Sequence, residues 1–125
     1  MARVLIVDDA LFMRMLLKNI IEKSGNTVVA EACNGEEAIS MYAEYHPDLV
    51  CMDITMPGTS GLEALRVIKE NDPDATVIMC SSMGQSAMVL EAIKLGAKDF
   101  IVKPFQPLEM AEIINKVLHS KETYE

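Results

Sequence analysis

The sequence has few of the features that would indicate a membrane, a secretory route or a nucleic acid. No apolar run approaches the roughly 20 residues needed to cross a bilayer, and the chain opens directly on an apolar run, without a charged region and cleavage site. Only 11 lysines and arginines stand against 19 acidic residues, for a formal net charge of -8. That charge repels a phosphate backbone. We therefore expect a cytoplasmic protein that binds neither membranes nor nucleic acids directly.

Cysteine and histidine are too sparse to suggest a disulfide framework or a transition-metal site. Cys33, Cys51 and Cys80 are odd in number and lack the paired spacing of metal ligands. We predict that all three are small buried hydrophobic residues in a reducing compartment. His46 and His119 stand apart from the other polar motifs, and we expect both at the surface.

Extended and helical patterns alternate along the chain. Its 125 residues, 50% of them hydrophobic, suffice for one domain, which we place at residues 1–120, with residues 121–125 as a frayed tail. Apolar runs rich in β-branched residues predict strands at residues 3–8, 27–32, 48–53, 76–80 and 99–102. Apolar residues at helical spacing, with glycine stops, predict a helix after each strand. This alternation indicates an α/β fold whose parallel sheet is covered on both faces.

Four of the predicted strands end in polar residues of the kind that bind phosphate and a divalent cation. These residues are Asp8 and Asp9, Asp53, Ser81 and Lys103. Ligand sites of open parallel sheets lie outside the carboxyl ends of the strands, so the five side chains can converge there. Each one alone has an ordinary explanation as a loop, capping or surface residue. Their recurrence at successive strand ends is what indicates a site.

The residue types at this edge favour phosphoryl transfer. Three carboxylates within roughly 4 to 5 Å repel each other by about 3 to 4 kcal/mol per pair at an effective dielectric of about 20, so a positive charge must lie among them. Mg²⁺, a hard cation with oxygen ligands, fits best, and Mn²⁺ is expected to substitute. Lys103 and the Ser81 hydroxyl complete the charge neutralisation that a phosphoryl group requires. The nucleophile is expected to be a carboxylate, because no serine, cysteine or histidine is paired with a base.

Four motifs together resemble the receiver domain of two-component response regulators: VDD, MDITMP, SS at residues 81–82 and DFIVKPF. The likeness covers essentially the whole chain. It implies a flavodoxin-like (βα)5 fold with a five-stranded parallel sheet in the order 2-1-3-4-5 and helices on both faces. The segments DDALFMRMLLKNII, SSMGQ and KPFQP are most similar to stand-alone chemotaxis receivers of the CheY type. A phosphorelay shuttle and a receiver fragment of a larger regulator, such as one fused to a methylesterase, remain alternatives.

The resemblance implies a role for each matching residue of the acid cluster. Asp53 matches the acceptor of the phosphoryl group, and it binds the metal together with Asp9 and the backbone carbonyl of Thr55. Asp8 matches the acid that reaches the metal mainly through water.

A second set of residues matches the phosphate-binding and switch positions. Ser81 takes the place of the switch hydroxyl, with Ser82 beside it, and Lys103 takes the place of the phosphate-binding lysine. The resemblance also implies a cis peptide bond between Lys103 and Pro104. Phe100 fills the aromatic switch position, where many members of the family have tyrosine, so this side chain lacks a hydroxyl to donate to a partner.

The function implied is a phospho-accepting signalling switch that assists its own phosphorylation and dephosphorylation, and not an enzyme with a separate substrate. A CheA-like histidine kinase donates to Asp53, Ser81 and Phe100 move, and the face of the fourth helix, fifth strand and fifth helix changes. Because the chain ends at its fifth helix, we expect output through a separate motor switch or adaptor protein. Thr55 and Met83 flank the expected path of hydrolytic water and orient it poorly, so we also expect a separate phosphatase.

Two other classes are less compatible with these residues. A haloacid-dehalogenase-like phosphatase needs a second aspartate two residues after its nucleophile, where this chain has Thr55. A flavodoxin would share the fold, but Asp8 and Asp9 would repel the phosphate of its cofactor from the first loop.

Overall fold

Strands and helices alternate along the part of the chain that the computed structural model describes, which is the backbone of residues 1–122 and the side chains of residues 1–119. Helix α5 continues two residues into the segment predicted to be a frayed tail, and residues 123–125 of that tail lie outside the described residues. The elements are β1 (Arg3–Val7), α1 (Leu11–Lys23), β2 (Thr27–Ala32), α2 (Gly35–Tyr45), β3 (Leu49–Asp53), α3 (Gly61–Asn71), β4 (Val77–Ser82), α4 (Ser86–Lys94), β5 (Asp99–Lys103) and α5 (Pro107–Glu122).

The strands form one parallel sheet in the order β2-β1-β3-β4-β5. The predicted flavodoxin-like fold is therefore confirmed. The strand order reverses between β1 and β3, and a crevice opens at such a point because the connections leave toward opposite faces of the sheet. The register pairs Asp53 with Cys80 and Ser82 with Lys103, so the polar ends of β3, β4 and β5 lie side by side.

Strand residues alternate between two hydrophobic cores, one on each face of the sheet. Val4 and Ile6 pack with buried residues of α1 and α5, whereas Leu5 and Val7 pack with buried residues of α2, α3 and α4. Every residue of β3 is buried. A central strand buried on both faces is what a parallel sheet covered by helices requires, and it gives the end of β3 a fixed position.

The cysteines are only partly as predicted. Cys51 and Cys80 lie in strands and are buried, and burial is the largest cause that raises the pKa of the Cys80 thiol to about 12. Cys33 is exposed, so the prediction of burial was wrong for this residue. It follows β2, an edge strand whose residues are mostly half-buried, and its thiol donates to the carboxylate of Glu37 at 3.1 Å.

The two histidines are exposed, as expected: His46 ends α2 with a left-handed backbone, and His119 lies in α5. Within the described residues, the helices are too short or too polar for a membrane span.

Candidate functional site

Three carboxylates meet at the carboxyl edge of the sheet. Asp8 directly follows β1, Asp9 comes next, and Asp53 is the last residue of β3. Each offers one oxygen, and these three atoms lie within 4.8 Å of one another. Asp8 and Asp53 are buried, whereas Asp9 is exposed. Oxygen donors at this spacing fit a hard divalent cation such as Mg²⁺, with Asp9 on the side open to water.

Both carboxylate oxygens of Asp8 have protein partners. Oδ1 accepts from the backbone N–H of Ala10 at 2.9 Å, and Oδ2 accepts from Lys103 Nζ at 2.7 Å. Arg14 donates to the backbone carbonyl of Asp8 at 2.8 Å and forms an ion pair with Glu31 at 3.2 Å. These contacts fix the turn that carries the two acids after β1. Sequence analysis missed Arg14, although a long side chain near the start of a helix points back toward the turn before it.

Lys103 bridges two of the carboxylates. Its Nζ lies 2.7 Å from Asp8 Oδ2 and 3.4 Å from Asp53 Oδ2. Burial alone would lower the pKa of Lys103, but the hydrogen bond to Asp8 and the charges of both acids outweigh it and raise the pKa. For Asp53, burial is the largest cause and raises the pKa, Lys103 acts against it, and Asp8 raises it further. The amine therefore stays charged, and the negative charge of Asp53 is only partly compensated.

Ser81 holds a buried hydroxyl near the end of β4. Its residue is 1% exposed, and its Oγ has no hydrogen-bond partner among the described residues. An unsatisfied buried hydroxyl costs about 1 to 3 kcal/mol. Ser81 follows Cys80, the register partner of Asp53, so the hydroxyl belongs to the strand beside the acid.

A backbone hydrogen bond joins the two ends of the loop that follows Asp53. Gly61 N–H donates to the carbonyl of Ile54 at 2.7 Å, and a Cβ at Gly61 would lie 1.9 Å from the carbonyl oxygen of Asp53, so no larger residue fits. Thr55 is exposed, and its hydroxyl accepts from Gln85 Nε2 at 2.7 Å. Sequence analysis assigned no role to Gln85, although a long amide side chain in the loop after β4 was the available signal.

Phe100 lies on β5 and is 38% exposed. It borders a largely apolar groove of about 600 Å³ between β4, α4 and β5, whose other walls include Met83, Val89, Leu90, Ile93 and Val102. Ser81 and Ser82 also line this groove, so the residue that carries the buried hydroxyl and the aromatic residue border the same groove. The Lys103–Pro104 peptide bond at the end of β5 is cis.

The fold and the site define a doubly wound α/β domain that places three carboxylates, a lysine and a buried serine at one sheet edge. The chain belongs to the family of the response regulator receiver domain, whose model matches residues 4–115. It is accordingly a response regulator, a signalling protein and not a classical enzyme.

Relatives match nearly the full length of the chain. The chemotaxis protein CheY of Thermotoga maritima is 62% identical over 115 residues, which cover 92% of this chain and 96% of the relative. That of Bacillus subtilis is 59% identical over 117 residues, 94% of this chain and 98% of the relative. Among solved structures, the CheX-CheY-BeF3-Mg²⁺ complex of Borrelia burgdorferi matches with a TM-score of 0.89 and 37% identity, over 93% of this chain and 88% of that chain.

Proposed function

We propose that Asp53 accepts a phosphoryl group from a phosphohistidine of a CheA-like kinase, in a pathway of chemotaxis. The bond between phosphorus and the histidine nitrogen breaks, and a bond between phosphorus and an Asp53 carboxylate oxygen forms. The observation that carries this proposal is the bridge of Lys103 between Asp8 and Asp53, because it places a fixed positive charge beside the acceptor. The chemotaxis relatives support the choice of pathway.

The same edge is proposed to bind Mg²⁺, or Mn²⁺ in its place, through Asp9, Asp53 and the backbone carbonyl of Thr55. Asp8 would act through water, which is supported by the partners that already occupy both of its oxygens. When bound, the ion neutralises the carboxylates and the oxygens of the phosphoryl group. The Borrelia structure supports this assignment, because it contains Mg²⁺ together with BeF3, a phosphoryl mimic, in a relative.

The signal is proposed to pass from Asp53 through Ser81 to Phe100. The hydroxyl of Ser81 gains an acceptor when a phosphoryl group is attached, and Ser82 moves with it as the next residue of β4. Phe100 then turns inward into the groove that it shares with Ser81. This changes the face formed by α4, β5 and α5, which is proposed to bind a motor switch or adaptor protein. The residues that hold the phosphoryl group also assist its arrival and its hydrolysis, and a separate phosphatase ends the signal.

A labelling experiment tests the acceptor. The wild-type protein is incubated with Mg²⁺ and acetyl phosphate or a phosphorylated histidine kinase, and its mass is expected to rise by about 80 Da, one phosphoryl group. We expect Asp53→Asn to lose this adduct while its circular dichroism spectrum stays unchanged. Asp74→Asn, the same substitution at an exposed residue before β4, is the matched control and keeps it. An undiminished adduct in Asp53→Asn would show that another residue is the acceptor.

A further inference from the structure

The side chain of Gln85 connects the two loops that flank the acceptor. Its Oε1 accepts from the backbone N–H of Ser82 at 2.6 Å, and its Nε2 donates to Thr55 Oγ1 at 2.7 Å. Thr55 lies two residues after Asp53 in the loop that follows β3, and Ser82 directly follows Ser81 at the end of β4. One amide group therefore ties the loop of the acceptor to the loop of the switch hydroxyl. We call this pair of hydrogen bonds the Gln85 latch.

The segment around the Gln85 latch has little else to hold it. Gly84 adopts a left-handed backbone with φ +89°, and both Met83 and Gly84 are exposed. Within α4, all of whose residues the structure describes, only Ala92 is buried. Gln85 occupies the N-cap position of α4, yet its side chain makes no capping bond to that helix. Segments with few buried apolar contacts open easily, so we expect the two hydrogen bonds of the latch to help fix this loop.

The Gln85 latch and the movement of Ser81 oppose each other. The N–H group that donates to Gln85 Oε1 belongs to the peptide unit between Ser81 and Ser82. The bond from Ser82 N–H to Gln85 Oε1 is 2.6 Å long, and a displacement of this peptide unit by about 1 Å away from Gln85 would stretch it beyond the usual length of a hydrogen bond. The buried hydroxyl of Ser81 has no partner in the latched arrangement, so the latch stabilises a state in which one donor remains unsatisfied.

We propose that Gln85 is a positioning residue that holds the protein in its resting state and thereby weakens its response to a phosphoryl group. The proposal rests on the proposed function, because it concerns the movement of Ser81 toward Asp53. An interaction made in only one of two states shifts their equilibrium by its own free energy. One hydrogen bond of ordinary strength corresponds to a change of about three- to tenfold in that equilibrium.

The test measures the affinity for beryllofluoride in saturating Mg²⁺ by NMR titration. Gln85→Ala, which removes both bonds, is expected to bind about three- to tenfold more tightly than the wild type. Thr55→Val removes the second bond, keeps the shape of the side chain and its backbone carbonyl, and is expected to bind more tightly by a smaller factor. The double variant is expected to match Gln85→Ala alone, because both substitutions break the same bridge. Gln106→Ala, the same truncation at an exposed glutamine before α5, is expected to match the wild type.

A spectroscopic signature separates the latch from a general loosening of the loop. The resonances of the Gln85 side-chain amide should move when beryllofluoride binds to the wild type, toward the positions they have in free Thr55→Val. A wild type that does not bind beryllofluoride would contradict the proposed function and the latch with it. A wild type that binds, with unchanged or weaker affinity in Gln85→Ala and Thr55→Val or with unmoved Gln85 resonances, would overturn the latch alone and leave the acceptor role of Asp53 standing.

Discussion

Asp53 holds a charge in a place where burial disfavours it. Burial raises its pKa, and the nearby carboxylate of Asp8 adds to the effect against Lys103. A group whose pKa is raised by folding stabilises the fold below its unfolded pKa, and that contribution is lost as the pH rises through its folded pKa. At neutral pH, the metal-free protein should therefore be less stable than a form of the same protein in which residue 53 carries no charge.

The destabilising charge of Asp53 gives a prediction for Asp53→Asn. In the absence of metal, we expect the variant to have a higher free energy of unfolding than the wild type at pH 7, because the uncompensated charge is gone. The difference should shrink as the pH falls through the raised pKa of Asp53, where the wild-type side chain is itself protonated. Urea titrations across a series of pH values measure it. An Asn variant that is no more stable than the wild type at pH 7 would show that the charge of Asp53 does not destabilise the metal-free fold.

Met83 lines the same groove as Ser81 and Phe100, with 81% of its surface exposed. A carboxylate there could orient water toward phosphorus, which a thioether does not. We expect Met83→Glu to shorten the lifetime of phosphorylated protein by about fivefold, equivalent to about 1 kcal/mol on the barrier, without changing the phosphorylation rate. Met88→Glu on α4 is the matched control for added charge. A decay as slow as that of the wild type would show that Met83 does not limit hydrolysis.

At the scale of elements, a single hydrogen bond joins α2 to the end of α3. The hydroxyl of Tyr42 donates to Asp72 Oδ2 at 2.7 Å, and this bond is the largest cause that lowers the pKa of Asp72. We expect Tyr42→Phe to lower the free energy of unfolding by about 1 kcal/mol. Since a lowered pKa stabilises the fold above the unfolded value and is lost as pH falls through the folded value, the difference should fade in acid.

Denaturant midpoints of the two proteins at pH 7 and in acid well below the ordinary aspartate pKa of about 4 measure this effect. Tyr45→Phe, at a more exposed ring of the same helix, serves as the control. A Tyr42→Phe difference that does not become smaller in acid would contradict the dependence of this bond on the charge of Asp72.

The strands and their ends could be predicted because both follow from the pattern of apolar and polar residues close together in the sequence. Ser81 ends an apolar run, and its place at the sheet edge follows once that run is a parallel strand. The strand order came from the likeness to receiver domains, since periodicity does not order strands. Cys33 was predicted wrongly because it comes directly after an edge strand and is exposed there, whereas cysteine is by residue type usually buried. Arg14 and Gln85 were missed because the reach of a long polar side chain depends on what folding brings near it.

At the scale of the whole molecule, the site draws on the ends of four strands, so we expect a ligand bound there to stabilise the fold. A ligand that binds only the folded chain adds about 1.4 kcal/mol to the free energy of unfolding at ten times its Kd. We expect Mg²⁺ to raise the unfolding temperature of the wild type accordingly, with weak affinity because few protein ligands are available.

Two experiments test this metal site. Asp9→Ala should lose the rise in unfolding temperature, and excess EDTA should stop phosphorylation of the wild type. Asp74→Asn provides the control. Full phosphorylation in EDTA, or an equal shift in Asp9→Ala, would exclude the metal site.

The contact of Gly61 with the backbone of Asp53 determines where this chain tolerates a change of length. Pro57 and Gly58 lie exposed at the far end of the same loop, and open space surrounds the position of a Cβ at Gly58. Lengthening an exposed loop tip costs little, whereas a shift at the base would displace Asp53. We expect two glycines inserted after Gly58 to preserve labelling of Asp53 by acetyl phosphate, and the same insertion after Thr55 to abolish it. We therefore expect the tip to be a place where a reporter peptide can be engineered near Asp53.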